Sequence, residues 1–195
     1  MIAVGFALFD TPIGLSGLAW SERGLRTLVL PETTEAATRE RLLKRAPGAV
    51  EAPPTTDMAK LIEAICAHLA GRPDDLAWAP VDHEGAPELH VRIWEQVRAI
   101  PPGETRTYGE VATSVGDRRL AQAVGQAMGR NPTPIVVPCH RVLAAGGKAG
   151  GFSAPGGLST KFRILQIEGA AAPPAAQPGL FDVLPLTPPP IRTPR

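Results

Sequence analysis

The chain has 195 residues, 44% hydrophobic and 20% charged, a balance that excludes a disordered chain and can fill a buried core. The net charge of +1 is unevenly spread: residues 1–86 carry 8 Lys/Arg against 12 Asp/Glu, whereas residues 87–170 carry 10 against 6. The basic second part suits an anionic partner, and equally a solvated basic face.

No run of residues is long enough to span a bilayer, and "MIAVGFALFDTPIG" lacks a basic leader, so neither a membrane partner nor a signal peptide is expected. Cys66 and Cys139 lie in unrelated contexts, which points to reduced thiols and a cytoplasmic location rather than a disulfide framework.

In chain order, "AVGFALF", "GLSGLAWS" and "LRTLVL" read as short strands, with turns at Thr11-Pro12 and Glu22-Arg23-Gly24. "DMAKLIEAICAHLAG" reads as a helix capped by Asp57, with Leu61, Ile62, Ile65 and Leu69 on one face and Gly71 at its end. Cys66 and His68 fall in this helix on different faces and read as core or surface filler. Neither has a ligand-spaced partner, so no metal site is expected.

A second, mostly helical region begins at Pro87. "PELHVRIWEQVRAI" aligns Ile93, Trp94, Val97 and Ile100, and "PPGE" then forces a turn. Thr107 with Glu110 forms a capping box that opens "YGEVATSV". Gly116 stops that helix, and Asp117 caps "RRLAQAVGQAMG". Two short helices joined by a tight turn outline a helix-turn-helix, a common reader of DNA. The second helix is rich in small residues, Ala121, Ala123, Gly125, Ala127 and Gly129. They permit close backbone approach, either to a minor groove or to a packed neighbour.

"IVVPCHRVLAAGG" sets Cys139 beside His140 after an apolar run and Pro138. Cys139 reads either as a small core residue ending a strand or as a nucleophile with its base. Burial raises a thiol's pKa, so a nucleophile here needs a base. Adjacent strand residues point to opposite faces, so a direct contact requires a turn; a bridging water serves equally. Glu168, ending "LSTKFRILQIEG", is a candidate to orient the histidine, and Asn131 a candidate to brace the turn.

The Pro-Cys-His-Arg core, the preceding helix-turn-helix, the glycine-rich loop and "EGA" together resemble the O6-alkylguanine-DNA alkyltransferase family over residues 90–169. "TPIG" and "LPE" are similar more loosely. The resemblance implies an α+β fold: a small ribonuclease-H-like α/β domain over 1–86, then a helix-turn-helix, winged-helix-like catalytic domain over 87–170. It implies that a thiolate takes the alkyl group from O6 of a guanine flipped out of double-stranded DNA, and keeps it. Carried over by position, Cys139 is the acceptor, His140 the water-linked base, Glu168 its partner, and Asn131 the brace. Tyr108 sits at the backbone of the extruded nucleotide, and Val142 with the loop Gly150–Ser153 lines the guanine pocket. Ser153 hydrogen-bonds O6. Ala121, Gly125, Arg130 and Arg141 join them as DNA- or base-binding residues. No metal or cofactor is implied, and a monomer is expected.

Three departures bear on rate and substrate range. Gln122 stands where the family usually has an arginine that replaces the flipped base. Phe152 stands where a tyrosine hydroxyl usually helps protonate the leaving guanine. Ala154 and Pro155 lengthen the loop.

Two other functions stay open: a non-catalytic lesion sensor, against which Cys139 speaks, and a thiol hydrolase, which leaves the helix-turn-helix without a purpose. Residues 171–195 hold 8 of the 22 prolines and read as a disordered tail. Within it, Gln177, Leu180 and Phe181 resemble the Gln-x-x-Leu-Phe peptide that docks bacterial repair proteins on the replication sliding clamp.

Overall fold

Turn residues punctuate three apolar runs at the start of the chain, so these fold as a meander. In the computed structural model, which describes residues 4–170, the strands β1 (Gly5–Thr11), β2 (Gly14–Ser21) and β3 (Gly24–Val29) pair antiparallel in succession. Gly24 is required at its turn: its φ is +129°, and a Cβ would overlap the Pro80 carbonyl.

Helix α1 (Glu35–Arg45) follows, with the Thr34 side chain accepting from the Ala37 N–H as N-cap. The sequence reading contains no counterpart of α1, whose buried positions are only Thr38 and Leu42, too few to register as a period. β4 (Val50–Glu51) then returns parallel to β1, completing the order β3-β2-β1-β4.

Helix α2 (Thr56–Leu69) is capped by Thr55, whose side chain accepts from the Met58 N–H, rather than by Asp57. Asp57 sits in the first turn instead, where the helix dipole favours a negative charge. The sheet is covered on both faces. Phe6, Ala19 and Val29 pack with Leu42 and Ala46 on the α1 side. Leu18, Trp20, Leu25 and Leu28 pack with Met58, Leu61, Ile65 and Leu69 on the α2 side. Burial from both sides explains the uninterrupted apolar run Leu18-Ala19-Trp20 in β2.

The second region opens with α3 (Glu88–Arg98), Pro87 at its N-cap and Ile93, Trp94, Val97 and Ile100 buried. β5 (Arg106–Thr107) leads into α4 (Tyr108–Ser114), where both bonds of the Thr107–Glu110 capping box form. A 3-10 turn capped by Asp117 connects to α5 (Ala121–Gly129), and Trp94 Nε1 donates to the Ala127 carbonyl, tying α3 to α5. β6 (Val142–Leu143) pairs with β5 in parallel, and α6 (Gly157–Ile167) is the last helix among the described residues.

The two regions share a core, because Ile135, Val136 and Ile164 pack into the cluster built by β2, β3 and α2. The exposed edge of β3 is also used: the Leu28 N–H and the Thr27 hydroxyl both donate to the Pro132 carbonyl at 2.9 Å. The segment leading to Cys139 is thereby fixed on the sheet edge. No helix among the described residues is long and apolar enough to cross a membrane. The sequence-read tail, with Gln177, Leu180 and Phe181, lies outside the described residues.

Candidate active site

Asn131 organises the approach to Cys139. Its Nδ2 donates to the Val137 carbonyl at 2.8 Å and its Oδ1 accepts from the Thr133 N–H at 3.0 Å, while the Val137 N–H returns to the Thr133 carbonyl. Ile135 inside this turn has φ +74°, a left-handed conformation that costs a β-branched residue about 1–3 kcal/mol. Cys139 does not end a strand: Cys139–Arg141 form a single 3-10 turn after Pro138, which removes the opposite-face constraint on Cys139 and His140.

His140 is fully buried, and its Nε2 lies 2.9 Å from Glu168 Oε1. Burial alone would raise the Glu168 carboxyl, but hydrogen bonds from His140, His68 and Arg141 hold it well below the usual carboxylate range. Glu168 is therefore an acceptor only, and His140 Nε2 carries the proton. Nδ1 is left with its lone pair, buried and without a hydrogen-bond partner among the described residues. Burial pushes the imidazole below its ordinary value, against the pull of Glu168, so His140 is a neutral base at rest.

Burial also pushes the Cys139 thiol up, outweighing the Asn131 side chain, the Lys161 ammonium and two backbone N–H groups that favour the thiolate. Lys161 is buried as well, its ammonium donating to the Val142 and Ala149 carbonyls and lowered by burial to about 8.

Cys139 borders two cavities. The larger, about 410 Å³, is lined by Tyr108, Gly125, Met128, Gly129, Gly151, Phe152 and Ser153. Tyr108, with its phenol raised by burial, meets the loop at Gly150, where φ is +63° and a Cβ would lie 2.8 Å from the hydroxyl. The smaller cavity, about 20 Å³, lies toward α1, where Arg41, Arg45, Ala154 and Pro155 help to line it; the two extra loop residues thus wall the side of the sulfur away from Tyr108.

The structure therefore brings Cys139, His140, Glu168, Asn131, Tyr108, Gly125, Phe152 and Ser153 together. It moves others away. Arg141 is not free to meet DNA: it is fully buried, its Nε and Nη2 donating to both oxygens of Glu168 at 2.9 and 2.7 Å and its Nη1 to the Ile100 carbonyl. Val142 is fully buried in β6 and does not line the larger cavity. Arg130 lines a different cavity, beside Asp82, Trp94 and Pro132. Gln122 is exposed on α5, and Ala121 is half-buried there.

Sequence reasoning missed two buried groups. Lys161 is one. His68 is the other: far from filler, it is fully buried with Nε2 2.8 Å from Glu168 Oε1. Its spacing, seven residues after Leu61 and three after Ile65, is the signal that places it on the buried face of α2.

A thiol lining a cavity, backed by a buried neutral base and a buried carboxylate and set beside a helix-turn-helix, fits a class, cysteine-dependent group-transfer proteins that act on DNA. Residues 88–170 match the family described as the DNA-binding domain of 6-O-methylguanine DNA methyltransferase. A methylated-DNA–protein-cysteine methyltransferase of Mycolicibacterium paratuberculosis is 37% identical over 92% of this chain and 99% of its own length. The Mycobacterium tuberculosis protein of that name is 35% identical over the same shares. A crystal structure of Mycobacterium tuberculosis OGT in complex with DNA superposes with a TM-score of 0.68 and 32% identity, over 87% of this chain and 96% of that one. The chain belongs to the methylated-DNA–protein-cysteine methyltransferase family.

Proposed function

We propose that this protein repairs DNA by transferring an alkyl group from O6 of guanine to Cys139, once per molecule. The lesion leaves the duplex and enters the 410 Å³ cavity, since O6 is out of reach inside the stack. His140 Nδ1 takes the thiol proton through a water, and the Nε2–H to Glu168 steadies the imidazolium. The sulfur lone pair forms the S–C bond as the C–O6 bond breaks, and the electron pair and a proton end on guanine. The product is a thioether, which no group here can cleave.

The buried His140 with one nitrogen on Glu168 and the other free is the observation that carries this reading. Duplex DNA bearing radiolabelled O6-methylguanine tests it. Stoichiometric label on the Cys139 peptide is expected, and Cys139→Ser should take none. Label appearing in solution with turnover, or binding without transfer, overturns it.

Tyr108, Phe152 and Ser153 are read as base-binding, with Gln122 and Ala121 at the duplex. The order β3-β2-β1-β4, with β4 parallel to β1, supports a ribonuclease-H-like arrangement for residues 1–86, leaving 87–170 as the alkyl-transfer domain. The protein acts in the cytoplasm as a monomer, and Gln177, Leu180 and Phe181 dock it on the replication clamp. Deleting residues 171–195 should abolish clamp pull-down and leave alkyl transfer unchanged; persistent clamp binding refutes that part.

A further inference from the structure

Glu168 receives one hydrogen bond more than a base–orienter pair with its arginine needs. Its Oε1 accepts from His140 Nε2 at 2.9 Å, from Arg141 Nη2 at 2.7 Å and from His68 Nε2 at 2.8 Å. His68 comes from α2, a hundred residues away in the chain. Its ring is pinned at the other end, with Nδ1 2.9 Å from the Asp74 carbonyl and 3.2 Å from the Asp74 N–H. Nε2 faces a carboxylate that can only accept, so Nε2 carries the proton, and in the neutral ring Nδ1 accepts the Asp74 N–H.

We propose that His68 is a positioning residue for alkyl transfer: it fixes Glu168 Oε1 and limits how strongly that oxygen holds a protonated His140. This rests on the reading of Cys139, His140 and Glu168 as a relay. The α2 face at this point is apolar, with Leu61, Ile65 and Leu69 beside His68, and a leucine would fill the space without burying a polar ring. Each donor on Oε1 draws density from it, so a third donor weakens the bond left for His140. The groups facing His140 are Glu168, Arg141 and His68, with Cys139 and Lys161 on the sulfur side. Arg45 of α1 and Tyr108 also face the sulfur, and His68 is the group of the sheet-bearing region that hydrogen-bonds Glu168. It keeps the base neutral and its Nδ1 lone pair available.

Two substitutions separate the two ends of the ring. Asparagine at 68 reaches Asp74 but not Glu168; glutamine places a donor where Nε2 stands. Single-turnover transfer from DNA containing O6-methylguanine is followed between about pH 5.5 and 9, with DNA affinity and melting temperature measured alongside. His68→Asn should slow transfer by roughly ten- to a hundredfold, the factor that a lost hydrogen bond to a charged group carries. The acid limb of its pH–rate profile should move to higher pH, because a less occupied Oε1 holds imidazolium better. DNA affinity should stay within about twofold, as expected for a side chain with no route to DNA.

His68→Gln should restore most of the rate and return the limb. An Asn variant slowed without movement of the limb, an Asn variant as fast as the native protein, or a Gln variant as slow as Asn each overturns the proposal. Glu168→Gln is the control: if it transfers at the native rate, the relay reading itself fails, whereas a slow Glu168→Gln beside a native-like His68→Asn refutes only the role of His68. Should both His68 variants fail to fold, imidazole nitrogen–proton spectra of the native protein decide. A downfield Nε2–H of His68 that moves in Glu168→Gln supports the proposal, and an unprotonated Nε2 overturns it.

Discussion

Arg141→Met should be among the most destabilising substitutions in the protein, and the deficit should shrink as pH falls. Arg141 has no exposed surface and spends its guanidinium on two bonds to Glu168 and one to the Ile100 carbonyl. Methionine matches much of the stem, so little packing is lost, but the carboxylate loses the one permanent cation paired with it among the described residues. Removing one partner of a buried pair costs roughly 3–5 kcal/mol, and stranding the Ile100 carbonyl adds about 1–3. His68 and His140 still donate to Oε1, which returns part of that, so a net loss of about 3–5 kcal/mol is expected. In a chain of this size that is about 6–20 °C in melting temperature.

The pH dependence follows from the direction of the Glu168 shift. In the native protein the carboxyl is held below its unfolded value, so its contribution is complete above about pH 4.3 and is lost only as pH falls through the lower folded value. Without Arg141, burial dominates and the cluster gains stability by taking up a proton, on Glu168 or on a histidine beside it. Urea unfolding of both proteins at pH 8 and pH 5.5 checks this. A loss under about 1 kcal/mol, or one equal at the two pH values, refutes the reasoning.

Gly150→Ala should lose stability by about 1–3 kcal/mol from its left-handed φ of +63° and slow transfer further by pushing Tyr108 into the base cavity; a variant with native single-turnover kinetics contradicts that geometry. Gln122→Arg adds a cation on the exposed side of α5, so DNA affinity should rise and its salt slope steepen by about one, measured by titration at several salt concentrations. Methylated Cys139 should melt below the free protein by the equivalent of about 1–3 kcal/mol, because Cys139 belongs to a buried cluster with Val137 and Val142; calorimetry showing an equal or higher melting temperature counts against a tightly packed site.

What was legible in the sequence was what short-range chemistry encodes. The Thr107–Glu110 box, the apolar stripe of α3 and the three strands depend on neighbours within a few residues, and each appears in the structure. Cys139 and His140 stood out as candidates because Pro-Cys-His-Arg is contiguous. The errors have one source, long-range pairing. Arg141 looks like a DNA contact beside basic neighbours, and only the arrival of Glu168 from 27 residues away turns it inward. His68 looks like filler for the same reason, its partner being 100 residues distant. Val142 sits next to the candidate reactive segment in sequence, yet as part of β6 it pairs with Arg106 of β5 and is buried in the core.

Long-range pairing also explains how a buried thiol can react. A cysteine raised by burial is a poor nucleophile at rest, which protects it from stray electrophiles and oxidants. In the proposed mechanism, moving its proton to His140 creates a thiolate and an imidazolium in the same low-dielectric pocket. The thiolate has the Lys161 ammonium near it, and the imidazolium has Glu168. Arg141 and His68 hold that carboxylate in place, and neither touches the sulfur. The charges formed in the reaction thus meet charges already fixed, so the site is arranged for the transferring state rather than for the resting one. Loosening any one of those fixed groups should slow transfer more than it weakens DNA binding, because all of them are buried.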